Sequence, residues 1–333
     1  MPVLDIQQLR VSFRTKTGLL EAVRGIDLCI HPGEIVGLVG ESGSGKSAAA
    51  QVILKLIPNA HVQGKILFHG EDLLVKSERE IELIRGHQIG MMFQDSLTAL
   101  NPTMPIGEQI TEGMTKHRKL KRDVAFQKGV EMLFQLGVNY PVERMQQYPH
   151  ELSGGIRQRI MLAISIACSP KLLIADEPTT ALDVVTQAQI LQLLKHLDTS
   201  ILFITHDLNL ISKIADRIYV MYAGKIVETR PTQELFKDPK HPYTQALFES
   251  TPNLAKGDNP LKIIPGSPPS PYQIPKGCPF HPRCPYAMKV CALKDPSDEL
   301  SLPNSCWKYH PQAPRDPYAA DTDQSVIETV HMR

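Results

Sequence analysis

The chain has 333 residues, enough to bury a full core and to divide into more than one domain. Its 36 Lys and Arg against 35 Asp and Glu leave a net charge of +1, so no overall field draws it to nucleic acid or anionic lipid, and any membrane role must run through a partner. No run approaches the roughly 18 consecutive apolar residues of a membrane-spanning helix, and "MPVLDIQQLR" lacks the basic-then-apolar pattern of a secretory leader; the expected location is the cytoplasm.

The first elements are β segments at 3 to 13 and 19 to 30, separated by the turn-like "RTKTG", which predict an antiparallel edge sheet. From 34 onward strands and helices alternate: "EIVGLVG" and then a helix from Lys46, followed by "IGMMF" (89 to 93), "KLLIAD" (171 to 176) and "SILFIT" (200 to 205). Continuous apolar strands alternating with helices predict an α/β fold with a mainly parallel sheet covered on both faces. Residues 105 to 168 read as helices, one of them (122 to 137) closing on a glycine suited to a C-cap. About 95 to 168 are therefore expected as a helical subdomain inserted into the sheet domain. The basic "KHRKLKR" (116 to 122) reads as a solvated face. "DRIYVMYAGKIVE" (216 to 228) is two strands joined at Ala223 and Gly224. After "HPYTQALFEST" the composition turns Pro-rich between 258 and 285, which predicts an irregular linker into a small module. Residues 313 to 333 read as a poorly ordered tail.

Six cysteines divide unevenly. Cys29 and Cys168 stand in apolar surroundings and read as small core hydrophobes. Cys278, Cys284, Cys291 and Cys306 crowd into the last part of the chain, and in a reducing compartment such a cluster favours metal over disulfide. Their spacing, C-x5-C-x6-C-x14-C, is wider than zinc-ribbon pairs and matches neither ferredoxin pattern.

The sharpest chemical signal is "GESGSGKS", which fits G-x-x-x-x-G-K-S and lies between a predicted strand and a predicted helix. In Gly40, Glu41, Ser42, Gly43, Ser44 and Gly45 the backbone amides can turn inward on phosphates, Lys46 can reach the β- and γ-phosphates, and the Ser47 hydroxyl can ligate Mg²⁺. "KLLIADEPTTALD" adds an acidic pair at a strand end: Asp176 to hold Mg²⁺ through water, Glu177 to orient or deprotonate the attacking water. Gln94 and His206 also follow strands of the same expected sheet, so four strand ends converge on one nucleotide. In "HELSGGIRQRI", Ser153, Gly154 and Gly155 open a helix with bare amides, a second phosphate cradle more than a hundred residues from the first.

In order and spacing, the phosphate loop, Gln94, "LSGG", "LLIADEP", "ALD" and His206 resemble those of ATP-binding cassette (ABC) transporter ATPases, over about residues 3 to 254. The resemblance implies the P-loop NTPase cassette fold: a parallel-sheet core, an antiparallel β subdomain and an inserted helical subdomain. It also accounts for the second cradle, because two cassettes pair head to tail and the Ser153 to Gly155 triplet closes on the partner's ATP. By position it assigns Phe13 to stacking on adenine, Gln94 to Mg²⁺ and the membrane subunit, Asp183 to bridging the cassettes, and His206 to the γ-phosphate. Ile156 departs from the common Gln, at a position beyond the phosphate-contacting triplet.

"HPYTQAL" followed by "CPFHPRCPYAMKVC" resembles the ATPase subunits of oligopeptide and dipeptide permeases, up to about Trp307. This implies peptide import by a pair of related ATPases under two membrane permease subunits, fed by an external solute-binding protein and seated on the cytoplasmic face of the inner membrane. Nickel or opine-like solutes, or antimicrobial peptides, are the alternatives among close relatives. Some relatives hold a 4Fe-4S cluster in this region, and four thiolates suit one; zinc, with His281 replacing one Cys, is the competing assignment, and unliganded thiols the third. The expected division is 1 to 254 for the cassette, 255 to 312 for a Pro- and Cys-rich domain stabilised by metal, and 313 to 333 for the tail. A soluble cassette acting on nucleic acid lacks support, because the interval from 46 to 153 is too short for a coiled-coil insertion and the chain carries one cassette.

Overall fold

The computed structural model describes residues 1–313 except 17, 180, 181, 252–262, 299, 301–303 and 312. The strands, in chain order, are β1 Leu4–Thr15, β2 Gly18–Ile30, β3 Ile35–Val39, β4 Ala60–Phe68, β5 Glu71–Asp72, β6 Ile89–Met92, β7 Leu172–Asp176, β8 Ser200–Thr205, β9 Arg217–Tyr222 and β10 Lys225–Pro231. They form two sheets. One runs β2-β1-β4-β5 and is antiparallel; the other runs β10-β9-β3-β8-β7-β6, parallel except for the hairpin of β9 and β10.

Every residue of β3, β7 and β8 is buried, as an uninterrupted apolar run in a sheet covered on both faces requires. The hairpin turns at Ala223 and Gly224, both at positive φ, the backbone of a tight two-residue turn. Two strands of the antiparallel sheet, β4 and the two-residue β5, lie outside the predicted segments, and β4 is the longer. Its first six residues are exposed or half-buried, so apolar alternation is confined to its end, and pairing with β1 from Leu4↔Phe68 to Phe13↔Ala60 selects the strand state.

The expected helical insertion is present as the helices Ile106–Arg118, Arg122–Gln135, Pro141–Gln146 and Gly154–Ile166. Arg122–Gln135 ends just before Gly137, which adopts φ 71, the left-handed conformation a helix terminus demands. Lys116 in the basic run pairs with Glu82 at 2.6 Å between exposed side chains.

Two hydrophobic cores hold the layers together. The first packs the two sheets and the helix Lys46–Ile53 together through residues such as Leu9, Val36, Ile53 and Ile204. The second joins the opposite face of the parallel sheet to the helical insertion. Each fully buried Leu or Ile contributes about 1.5–3 kcal/mol of transfer free energy, so these faces dominate the folding free energy.

The C-terminal part, from 263 onward, contains no strand of either sheet among its described residues, in keeping with its Pro content. It has a short helix, Lys289–Leu293, and single turns at His281–Arg283 and Trp307–Tyr309. It does not stand apart: Cys278, Phe280, Cys291 and Trp307 belong to the second core. Ser305 N–H donates to the Val227 carbonyl at 3.0 Å, and Lys225 meets Asp295 at 2.8 Å. The expected boundary at 254/255 lies outside the described residues, as does the tail beyond 313.

Cys168 is buried as expected, but Cys29 is only half-buried. Its Sγ lies 3.5 Å from Arg217 Nη1 and 3.8 Å from the Tyr219 hydroxyl. Alternation along β2 turned it toward a polar cluster instead of the core. Among the described residues, no helix is long and apolar enough to cross a membrane.

Candidate active site

The loop from Gly40 to Gly45 links the end of β3 to the helix Lys46–Ile53. Gly45 is that helix's N-cap at φ 103 and ψ 3, a conformation that favours glycine. There is no room for a side chain, because a Cβ would collide with the Ala22 carbonyl oxygen and sit 2.9 Å from Met221 Cε. The loop is therefore clamped from behind by β2 and by the β9 to β10 turn, whose Gly224 N–H donates to the Ser44 carbonyl at 2.9 Å. Ser42 and Gly43 face outward and are exposed. Lys46 is buried and donates to the Gly40 and Glu41 carbonyls at 2.8 and 3.0 Å. Burial lowers its pKa, partly offset by Glu177, Asp176 and Glu41. The Ser44 hydroxyl oxygen is buried with no hydrogen-bond partner among the described residues. A loop with its lysine bonded to its own backbone and an unsatisfied hydroxyl fits a polyphosphate that would replace those bonds.

The four expected positions lie at consecutive strand ends of the parallel sheet: the phosphate loop after β3, His206 after β8, Asp176 and Glu177 at β7, and Gln94 beyond β6. Asp176 is buried and accepts from the Ser47 hydroxyl at 3.1 Å. Burial, with Glu177 adding to it, raises its pKa, opposed by Ser47 and Lys46. Both oxygens of Glu177 are held: His206 Nδ1 lies 2.9 Å from Oε1, and Gln94 Nε2 donates to Oε2 at 3.4 Å. Glu177 adopts φ 47, a left-handed backbone uncommon for a residue with a side chain and frequent at functional sites. Its N–H donates to the Ile204 carbonyl at 2.9 Å.

Ser153 caps the helix Gly154–Ile166 with no side-chain hydrogen bond among the described residues; Ser153 and Gly154 are exposed and Gly155 half-buried, at a helix start whose first amides lack an intrahelical partner. The helix is tied to the acidic segment by Gln158, whose amide donates to the Pro178 carbonyl. Asp183 caps the next helix, Val184–Lys195, through Thr186 N–H at 3.0 Å and the Thr186 hydroxyl at 2.7 Å, which lowers its pKa. Phe13 is half-buried on β1, opposite Leu20 of β2 and Ala60 of β4. Two residues beyond Leu20 on β2, the Ala22 carbonyl lies against the loop at Gly45.

Two contacts were invisible in sequence. The Tyr243 hydroxyl accepts from Glu41 N–H at 2.9 Å, and Arg283 reaches both oxygens of Glu41, at 2.8 and 3.1 Å. "HPYTQAL" and "CPFHPRC" had drawn attention to these segments, but nothing in either string says that they fold behind the phosphate loop.

The four clustered cysteines are close enough to raise one another's pKa, although burial is the larger cause: Cys278 and Cys284 are pushed up to about 12, Cys306 to about 11. Even so, among the described residues no three His, Cys, Asp or Glu side chains are arranged as a metal-binding group. The donor type fits a thiophilic metal; the arrangement gives the iron–sulfur and zinc expectations no support.

A parallel sheet that carries a phosphate loop and an acidic pair at the ends of two strands flanking a third, with an inserted helical subdomain, defines an ATP-hydrolysing P-loop cassette. The "ABC transporter" family profile matches residues 23–180, and the "Oligopeptide/dipeptide transporter, C-terminal region" profile matches 227–291. The chain is 48% identical to the oligopeptide transport ATP-binding protein OppD of Bacillus subtilis, covering 94% of this chain and 90% of that protein. It is 45% identical to the dipeptide transport ATP-binding protein DppD of the same organism, covering 92% and 94%. Among solved structures, the dimeric post-hydrolysis state of the cassette MJ0796 bound to ADP and Pi superposes with a TM-score of 0.64 at 25% identity, covering 69% of this chain and 98% of that one. The chain belongs to the ABC transporter ATP-binding proteins, in the branch that carries the oligopeptide/dipeptide C-terminal region.

Proposed function

We propose that the chain is the ATP-hydrolysing subunit of an importer of di- and oligopeptides. The observation that carries the catalytic part is Glu177, held at one carboxylate oxygen by His206 and at the other by Gln94, beside the Ser47 and Asp176 pair. The peptide assignment rests on the likeness to OppD and DppD and on the C-terminal region.

ATP enters as substrate. Lys46 exchanges the Gly40 and Glu41 carbonyls for phosphate oxygens, and the loop amides meet the remaining charge. Ser47, Asp176 and Gln94 would hold Mg²⁺, which would supply charge neutralisation on the phosphates. Glu177 accepts a proton from the attacking water, while His206 fixes the orientation of its carboxylate and contacts the γ-phosphate. Phe13 stacks on adenine. Ser153, Gly154 and Gly155 close on the ATP of a second, related cassette, with Asp183 at the junction, so that binding closes the pair and hydrolysis reopens it. Two membrane permease subunits receive the movement near Gln94 at the cytoplasmic face, and an extracytoplasmic binding protein delivers the substrate. A groove of about 560 Å³ lined by Met104, Glu108, Thr111, Arg122 and Phe126 of the helical insertion offers the permease a seat.

The Cys278, Cys284, Cys291 and Cys306 thiols are proposed as ligands of an iron–sulfur cluster, with zinc as the alternative. Their donor type favours this, with three of the four buried and Cys284 half-buried, and a bound metal would displace their protons. Iron, labile sulfide and zinc measured on the anaerobically isolated full chain separate the outcomes; absence of all three removes the assignment.

The decisive experiment is uptake of labelled di- and oligopeptides, and of nickel, in cells carrying Lys46→Ala or Glu177→Gln. Loss of peptide uptake alone supports the reading. Loss of nickel uptake with peptide import intact would place the chain on another branch of the family.

A further inference from the structure

Glu41 lies inside the phosphate loop, where its carbonyl also accepts from Ser44 N–H at 3.2 Å, and is held by three further parts of the chain. Its carbonyl accepts from Lys46 at 3.0 Å, its N–H donates to the Tyr243 hydroxyl at 2.9 Å, and its carboxylate meets Arg283 at 2.8 and 3.1 Å. Arg283 is itself 93% buried, with 7% exposed. It is fixed further by donating to the Tyr222 hydroxyl at 3.2 Å and, through Nε, to the Pro265 carbonyl at 2.8 Å. Tyr222, Tyr243 and Phe280 form an aromatic cluster behind it, with ring centroids 4.5 to 5.4 Å apart.

Two physical consequences follow. First, when Lys46 turns to a bound polyphosphate it releases the Glu41 carbonyl, so Arg283 and Tyr243 become the anchors of that end of the loop. Second, Glu41 is an anion in a loop that must accept a polyanion. Unpaired, it would repel the triphosphate in a partly buried setting where screening is weak. The bidentate guanidinium cancels that charge in fixed geometry, as an ammonium cannot.

We propose that Arg283 is a positioning residue of the ATP site: it neutralises Glu41 and holds the phosphate loop, so the C-terminal extension sets the affinity for ATP. This rests on the reading of the Lys46 loop as the ATP site and adds a determinant more than 200 residues away in sequence.

The test is a mutant cycle in the full chain, with ATP affinity measured directly, and KM and kcat measured in the assembled transporter. Arg283→Met leaves Glu41 unpaired and is expected to raise the ATP KM on the order of tenfold or more, with a smaller change in kcat at saturating ATP. Adding Glu41→Gln removes the stranded charge and should return most of the lost affinity, so the double variant binds ATP better than Arg283→Met alone. A purely structural tie cannot produce that recovery. Should Arg283→Met fail to fold by thermal melt, Arg283→Lys, alone and with Glu41→Gln, reads the same cycle with a smaller first step. Wild-type ATP affinity in a folded Arg283 variant, or no recovery on adding Glu41→Gln, would overturn the proposal. Lys46→Ala run alongside isolates the underlying reading: if it binds ATP as well as wild type, the assignment of the ATP site fails, independently of Arg283.

Discussion

Gly45→Ala offers a sharp test of the phosphate loop, because two independent costs meet at one atom. The residue sits at φ 103, and a Cβ would fall inside the 3.0 Å that real Cβ atoms keep from other heavy atoms, against the Ala22 carbonyl oxygen. Backbone strain of this kind costs about 1–2 kcal/mol, and an overpacked contact about 1–3 kcal/mol. The ligand-free loop can relieve both by backing away from β2 by about 1 Å, the scale on which packed elements yield to an added methyl. ATP binding must then restore the original path. The cost therefore appears in affinity more than in stability. At about 3 kcal/mol, the dissociation constant for ATP should rise on the order of 100-fold, with a melting temperature lowered by only a few degrees. Gly33→Ala is the matched control: it lies in a turn at φ 73 with nothing within 4 Å of its Cβ, so it should cost about 1 kcal/mol of stability and leave ATP affinity unchanged. Equilibrium titration with a fluorescent ATP analogue, paired with thermal melts, reads both. Equal ATP affinity in Gly45→Ala and Gly33→Ala would refute the argument, because it would mean that binding does not require the loop path seen here.

Other predictions address the base, the core ties and acid stability. Glu177→Gln should keep ATP affinity and lower turnover in the assembled transporter by about 100- to 10,000-fold, the range for loss of a general base; near-normal turnover would remove Glu177 from that role. Arg217→Ala breaks a two-point pairing with Glu34, both contacts at 2.9 Å, and a hydrogen bond to the Cys29 carbonyl at 3.0 Å. It should destabilise the chain by about 2–4 kcal/mol in denaturant titration, without a comparable change in the ATP KM of the folded fraction. His241 is buried, its Nδ1 accepts the Tyr243 N–H at 3.1 Å, and burial lowers its pKa from 6.5 to about 3. Below pH 6.5 the unfolded chain takes up a proton that the folded chain refuses, so stability is full above 6.5 and falls toward pH 3, by about 1 kcal/mol per pH unit. His241→Asn should flatten that acid slope; an unchanged slope would mean that His241 does not carry it.

Much of the site was legible because its chemistry is written in contiguous strings. The phosphate loop needs glycines, a lysine and a hydroxyl within eight residues, and the acidic pair closes an apolar strand. Period and punctuation also marked the strands β3, β6, β7 and β8, whose ends align Gln94, Glu177, His206 and the loop. Where local pattern was weak, the reading fell short. The strand β4 lacks alternation over most of its length and exists through its pairing with β1. Cys29, in a strand of apolar neighbours, turned out to face Arg217 and Tyr219.

By itself, then, the sequence determined the nucleotide chemistry, the layer architecture and the helical insertion, since each is set by short-range spacing and by hydrophobic period. Tertiary structure alone decided which distant groups support that chemistry. Carboxylate, tyrosine and guanidinium meet at Glu41, Tyr243 and Arg283 because the apolar residues of the C-terminal extension, Phe280 and Trp307 among them, join the core beneath the loop instead of building one of their own. Burial drives that docking without regard to sequence separation, and so no local string could announce it.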